Sequence, residues 1–245
     1  MTSFEDVRGQ ELSAIKTYFS QGIRALEIGG GNGFQASLLV ALGADIESID
    51  VAKQPAGQLT FFAVEVYDGR TIPYSDATFD VVFSSNVLEH IRDIKGMMAE
   101  IRRVLKVDGV AVHILPTPTW RFWTSLAHYV YLVMRVLGLQ RSVGGGHVPS
   151  LGEKMQRSGL WSTAKRILFA GPHGEYPSAI SECWYFRKAR WLGVFRDNGF
   201  QLMSSSPSRI FYTGYSVAPA LSIGVRQKLA KILGSSTYIY VLRKT

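Results

Sequence analysis

Residues Arg24–Gly33 read RALEIGGGNG, and this stretch decides how the rest of the chain is read. A short apolar run, Ala25, Leu26 and Ile28, ends in a cluster of glycines, and an apolar pattern resumes at Phe34. The pattern predicts a buried strand, a tight turn and a helix start. Glycines at such a turn permit positive φ and a close approach of backbone to a ligand, and the helix start offers unpaired N–H groups. Taken alone, the turn fits a nucleotide cofactor or any glycine-rich strand–helix junction.

Outward from the turn, the apolar periodicity changes back and forth between strand and helix. Strands are predicted at 24–28, 45–50, 59–66, 79–85 and 110–115, then from Phe200 and over 237–244. Helical patterns cover 4–20, 34–42 and 87–105, a further run ending at Gly199, and a segment between the last two strands. The alternation predicts an α/β fold: a Rossmann-like, doubly wound, seven-stranded, mostly parallel sheet with a helical insertion after strand five. Ligands in such sheets bind at the carboxyl ends of the strands. Those ends carry the glycine turn, Asp50, the Tyr67-Asp68-Gly69 turn and Ser84-Ser85-Asn86. Asp50 follows Gly29 by 21 residues and ends strand two, where a carboxylate can accept from both hydroxyls of a ribose. That pair of features suits NAD as well as other nucleoside cofactors.

The segment YDGRTIPYSDATFDVVFSSNVLEHI, residues 67–91, separates the possibilities. With Glu27-Ile28-Gly29-Gly30-Gly31-Asn32-Gly33 and Asp50, it resembles the class I S-adenosylmethionine-dependent methyltransferases of the type 11 group. The resemblance runs from residue 24 to about 115, with the motifs in order. It implies S-adenosylmethionine as cofactor. Gly29, Gly31 and Gly33 would pass backbone under its methionine portion, with Glu27 close by. Asp50 would take the ribose, Asp68 the adenine amino group with Gly69 beside it, and Ser85 and Asn86 would line the methionine end. Glu89-His90 match the family's helix opening. Asp80 and His113 read as structural residues, and no metal is expected.

Beyond Leu115 the resemblance stops and composition takes over. Residues 1–115 carry 10 Lys+Arg against 15 Asp+Glu, and residues 116–245 carry 17 against 4, net charges of −5 and +13. The second half therefore faces something anionic. Within 120–139, Arg121, Thr124, Ser125, His128 and Arg135 form a narrow polar stripe on an otherwise apolar helix. The cations make a transmembrane span costly, and an interfacial helix with its tryptophans at headgroup depth accounts for the composition. The other reading buries this helix against the sheet or in a dimer. Residues 216–233 form a second apolar-basic segment. Both segments point to an anionic membrane surface.

The expected organisation is a cofactor-binding half over 1–115, an acceptor-side insertion, helical and lid-like, over 116–190, and the rest of the same sheet over 191–245. If the acceptor is a hydroxyl, histidine is the best-tuned base at neutral pH. His147 and His173 stand in glycine-flanked loops, and His90 is a third candidate; Glu175 could orient His173. The expected function is methyl transfer at a membrane surface to a lipid-linked sugar, glycan or lipid, with a soluble small molecule as the alternative acceptor. Nucleic acid is disfavoured, since residues 84–87 lack the Asn/Asp-Pro-Pro-aromatic motif of enzymes that methylate exocyclic base nitrogens. A single cysteine, Cys183, excludes an internal disulfide, and the acidic, polar N-terminal stretch does not read as a secretory signal. A cytoplasmic protein, peripheral on the inner face of the cytoplasmic membrane, is expected.

Overall fold

The computed structural model describes residues 4–52, 57–137, 171–215 and 221–245. Helix α1 (Phe4–Ser13) precedes strand β1 (Arg24–Ile28), α2 (Phe34–Ala41), β2 (Asp45–Asp50), β3 (Glu65–Val66), β4 (Phe79–Ser85), α3 (Ile94–Val104) and β5 (Leu105–Pro116). Then come α4 (Pro118–Val136), α5 (Ala179–Tyr185), α6 (Lys188–Asp197), β6 (Phe200–Pro207), α7 (Ile223–Leu233) and β7 (Thr237–Lys244). The seven strands form one sheet in the order β3-β2-β1-β4-β5-β7-β6. β1 pairs in parallel with β2 and β4, and β4 with β5; β7 runs antiparallel between β5 and β6. The predicted sheet is observed, with the last strand reversed.

Central strands covered on both faces must be apolar throughout. β4 and β5 bury Val82, Ala111 and Leu115 against α3 and α6 on one face. On the other face Ala25, Phe83 and Ile114 pack with α1 and α2. Asp80 accepts from Arg24 N at 3.0 Å and pairs with Lys106 Nζ at 2.9 Å, a structural role at the strand start. His113 is fully buried, its Nδ1 2.8 Å from Ser84 Oγ, and burial pushes its pKa down to about 3. Both match the sequence reading.

Four boundaries differ from expectation. The helix expected over 4–20 ends at Ser13 and is followed by a separate 3-10 turn at Lys16–Tyr18. Strand three is confined to Glu65–Val66, because Phe61 and Phe62 are used elsewhere. Phe61 N donates to Asn32 O at 2.9 Å and its ring meets Phe34 edge-on, while Phe62 lies against Gly33. These residues brace the glycine turn rather than the sheet edge. The helix expected over 87–105 is split. A 3-10 turn at Leu88–His90 ends at an extended Ile91, and Asp93 caps α3 by accepting from Gly96 N at 2.9 Å. β5 starts five residues early, at Leu105, with Gly109 inside the strand rather than in a turn before it.

The largest correction concerns α4. The sequence reading put its polar stripe toward solvent or lipid headgroups. Instead Arg121 is only 2% exposed, and Thr124 and His128 are buried with it. His128 Nδ1 lies 2.9 Å from Tyr215 Oη, and Thr124 Oγ1 accepts from Gly214 N at 3.0 Å. At about 100° per residue the opposite side carries Phe122, Leu126, Val130 and Val133, all exposed, Phe122 and Val133 by 58%. The helix hides Arg121, Thr124 and His128, each held by a partner from another segment, and leaves its apolar side outward.

Candidate active site

The glycine turn folds as it does because three of its positions need what only glycine gives. Gly29, Gly31 and Gly33 all have positive φ, at 79°, 56° and 77°. A Cβ on Gly29 would meet Val87 Cγ2 at 2.3 Å, and one on Gly30 would meet Ser48 Oγ at 2.0 Å. A Cβ on Gly31 would meet nothing within 4 Å, so the turn is packed on its inner side and open at its tip. Gly30→Ala is therefore expected to lower stability by about 1–3 kcal/mol by overpacking, read as a fall in melting temperature.

Glu27 lies beneath this turn, almost fully buried, with Oε2 accepting from Ser48 Oγ at 2.7 Å. Burial pushes its pKa up to about 7 against the pull of that bond. Asp50 Oδ2 accepts from Gly31 N at 2.8 Å, and Oδ1 from Val51 N at 2.6 Å. The carboxylate thereby ties β2 to the turn; Oδ1 also accepts from Ala52 N at 3.3 Å, and Oδ2 keeps a lone pair for a ligand. Asp68 Oδ1 accepts from Arg70 N and Thr71 N, both at 2.8 Å, which holds this exposed carboxyl below its ordinary pKa and leaves Oδ2 for a ligand. Gly69, beside it with φ at 73°, has Val51 Cγ1 2.8 Å from where a Cβ would lie.

Ser85 and Asn86 end β4 under Arg8 of α1. Asn86 holds a φ of 55°, unusual for a non-glycine residue, and in its satisfied orientation its amide oxygen accepts from Arg8 Nη1 at 2.5 Å. Arg8 also pairs with Glu11 at 2.6 Å, and Glu11 accepts from Tyr212 Oη at 3.3 Å.

Beside the turn stands a second cluster. Val87, which packs on Gly29, leads directly into the 3-10 turn, and this turn carries Glu89 into the interior. Both Glu89 oxygens are buried without a hydrogen-bond partner. Burial pushes its pKa up to about 8, opposed by its own backbone N–H and by Arg8 and helped by Glu182. His90 Nε2 and His173 Nε2 each lie 3.9 Å from Glu89 Oε1, and the two rings meet edge-on at 4.7 Å. The 3-10 turn brings His90 here, and a loop seated on the backbone of Glu89 brings His173. In that loop Glu175 N donates to Glu89 O at 3.2 Å, and a Cβ on Gly174 would strike the same oxygen at 2.4 Å. Glu182 of α5 fixes the loop by accepting from His173 N and Gly174 N, each at 2.6 Å. Arg121 lies 3.3 Å from Glu182, a fully buried pair. Trp120 of α4 covers His173 at 4.7 Å.

Burial lowers the pKa of both histidines, His173 to about 4 with Arg121 and Arg8 adding to the effect. Among the described residues this is the only group of three whose donor atoms lie close enough to share a metal ion, within 4.8 Å of one another. The guanidinium groups of Arg8 and Arg121 disfavour a divalent cation there. Two of the three predicted histidines are thus together, and His147 lies outside the described residues. Glu175 does not orient His173; its carboxylate is bonded to Arg92 Nε. The sequence reading missed Glu89 as a chemical group, and with it Arg8, Glu11, Arg121, Glu182 and Tyr212. Only Arg121 left a trace, as part of the polar stripe.

A glycine turn with Asp50 and Asp68 beyond the carboxyl ends of such a sheet defines a nucleoside-cofactor site of the Rossmann-like kind. Residues 26–113 match the family model described as a methyltransferase domain, of the type 11 group. Residues 26–113 thus carry a methyltransferase domain of the class I, S-adenosylmethionine-dependent kind. The chain is 32% identical over 131 residues to chloroplastic 2-methyl-6-phytyl-1,4-hydroquinone methyltransferase 1 of Oryza sativa subsp. japonica, covering 49% of this chain and 38% of that protein. It is 32% identical over 102 residues to a ubiquinone biosynthesis O-methyltransferase of Cereibacter sphaeroides, covering 38% of this chain and 40% of that protein. The matches thus span about two fifths of the length of these relatives. In fold it is similar to Burkholderia thailandensis 1,6-didemethyltoxoflavin-N1-methyltransferase, solved with 1,6-didemethyltoxoflavin and S-adenosylhomocysteine, at a TM-score of 0.55 and 13% identity. That likeness covers 99% of this chain and 80% of the other.

Proposed function

We propose that the protein methylates an oxygen of a small acceptor with an apolar portion, presented at a bilayer surface. The observation that carries this reading is Glu89: a fully buried carboxylate without a hydrogen-bond partner, facing two histidines beside the glycine turn. A buried carboxyl without a side-chain partner is costly to keep, and more so once ionised, and such sites persist where they serve a reaction.

The residues present fit S-adenosylmethionine. The tip of the turn is open at Gly31, and Asp50 and Asp68 keep acceptor capacity beyond their backbone bonds. These residues, with Gly29, Gly33, Gly69, Ser85 and Asn86, would hold the cofactor, and Glu27 would support the turn from beneath. When bound, the cofactor supplies an electrophilic methyl group on a sulfonium centre. The chain's own work is to position the acceptor, exclude water and take a proton. Trp120 and the loop at His173 cover Glu89, whereas His90 and His173 stay open, 40% and 36% exposed, on the side an acceptor could approach. The acceptor's hydroxyl proton goes to His173 Nε2, with ionised Glu89 stabilising the imidazolium that forms, and His90 completes the set. The form ready to receive a proton has Glu89 ionised, so kcat/KM for the acceptor is expected to rise with pH and level off above an apparent pKa near 8, a value belonging to the cluster as a whole. A pH profile flat from 6 to 9.5 would reject this role.

The relatives named above are a methyltransferase of a phytyl hydroquinone and one of ubiquinone biosynthesis, which supports an acceptor with an apolar part over a free glycan. No helix among the described residues is long and apolar enough to cross a membrane. A surface attachment is supported by the outward apolar side of α4 and by the net charge of +13 over residues 116–245. Each large apolar side chain returned to lipid contributes about 1.5–3 kcal/mol. The protein is therefore expected to co-sediment with phosphatidylglycerol vesicles at low salt, and Phe122→Ser/Val133→Ser to reduce its partitioning at least tenfold. Equal partitioning of the two would remove the membrane from the proposal. The acceptor itself is tested by transfer of labelled methyl into lipid, water-soluble and RNA extracts, with label expected in the lipid fraction.

A further inference from the structure

A cavity of about 1030 Å³ opens between the start of α4, the end of β6, α7 and β7, away from the glycine turn. Its floor is aromatic: Phe186 and Tyr240 are fully buried there, and Tyr238 stands beside them. Its rim carries Lys188, Arg209, Lys228 and Lys231, and among the described residues no aspartate or glutamate lines it. Among the described residues none of these four cations pairs with a carboxylate; Lys188 Nζ instead lies 5.4 Å over the Tyr238 ring. Elsewhere the chain pairs its cations readily, as at Arg8, Arg92, Arg103, Lys106 and Arg121. Arg209 is also held at a φ of 58°, with its N–H donating to Ser235 Oγ at 2.9 Å, a strained backbone in a residue that turns toward the rim.

Four like charges around one concavity repel one another, and the arrangement is relieved by an anion of more than one charge. A lone carboxylate carries too little charge for four cations. Three of the four are lysines, point charges that serve phosphate oxygens of varied geometry, whereas a planar carboxylate favours the arginine fork. The depth and the aromatic floor exclude a simple surface track for a nucleic-acid backbone and call for an apolar or ring-bearing body inside. We propose that this cavity binds the phosphate or diphosphate group of a partly apolar molecule, with the phosphate at the Lys228–Lys231 rim and the body over Tyr238 and Tyr240. The proposal is independent of methyl transfer and of the cofactor.

Calorimetry on the full chain without cofactor tests it, using geranyl diphosphate, inorganic pyrophosphate and phosphatidylglycerol vesicles as three separate probes. The vesicle arm uses the Phe122→Ser/Val133→Ser background, so that α4 does not contribute. Lys228→Gln/Lys231→Gln is expected to weaken binding at least tenfold. The charge-matched control Lys16→Gln/Lys95→Gln, on exposed helical positions far from the cavity in sequence, is expected to change it less than twofold. Geranyl diphosphate binding more tightly than pyrophosphate, with that pattern, supports a soluble phosphorylated ligand; the same pattern for vesicles alone supports a lipid headgroup. Equal losses in the two double variants, or no binding of any probe by the wild type, would overturn the site.

Discussion

Glu89→Gln lowers kcat/KM for the acceptor by about a hundred- to ten-thousand-fold, the range spanned by positioned acid–base groups, while S-adenosylhomocysteine binds within twofold of wild type. The substitution keeps the volume and removes the carboxylate charge that lies 3.9 Å from His173 Nε2. It should also stabilise the protein. The folded chain raises the Glu89 pKa from 4.5 to about 8, so between these values it holds a proton that the unfolded chain releases. The stability due to Glu89 is fully present below the unfolded value and is lost as pH rises through about 8. The variant should therefore match wild type near pH 5 and exceed it above pH 9, by on the order of 3–5 kcal/mol. Melting curves at the two pH values check this. A variant that stays active, or whose advantage does not grow with pH, would end the assignment. A gain in stability with a loss of activity is the mark of a functional site rather than a structural one.

Asp50→Ala is the second large effect. Hydrogen bonds to a charged group contribute about 1.5–3 kcal/mol, and a ribose hydroxyl on this carboxylate makes at least one of them. Binding of S-adenosylhomocysteine is expected to weaken by about a hundredfold by calorimetry. The carboxylate also holds Gly31 N and Val51 N, so loss of the loop could mimic loss of the contact. Asp50→Asn separates the two, because its amide oxygen can still accept from Gly31 N. Asparagine keeps the bond from Gly31 N but its amide nitrogen cannot accept from Val51 N and Ala52 N, so it should lower the melting temperature less than alanine does and still lose most of the affinity. Unchanged affinity in both variants would take the ribose from Asp50.

The cofactor side of the molecule was legible because its signals are local. Gly29, Gly31 and Gly33 need positive φ, and the chain writes that need as glycine. β2 ends at Asp50 and β7 runs over Thr237–Lys244, both as the periodicity predicts. Strand three was misread because Phe61 and Phe62 are apolar for the sake of the glycine turn, and period alone does not tell which neighbour an apolar side chain will meet.

α4 shows the same limit more sharply. Its sequence yields a polar stripe and an apolar face, and amphipathicity says that the two face different surroundings. It does not say which is inside. Glu182, 61 positions along the chain from Arg121, decides it by giving the guanidinium a buried partner. The site is divided in the same way. The sequence by itself determined the sheet, the glycine turn and the carboxylates at the strand ends, because backbone conformation and burial period are properties of neighbouring residues. Only the tertiary structure brought His173 to Glu89 and left that carboxylate without a partner, because burial is conferred by segments distant in the chain.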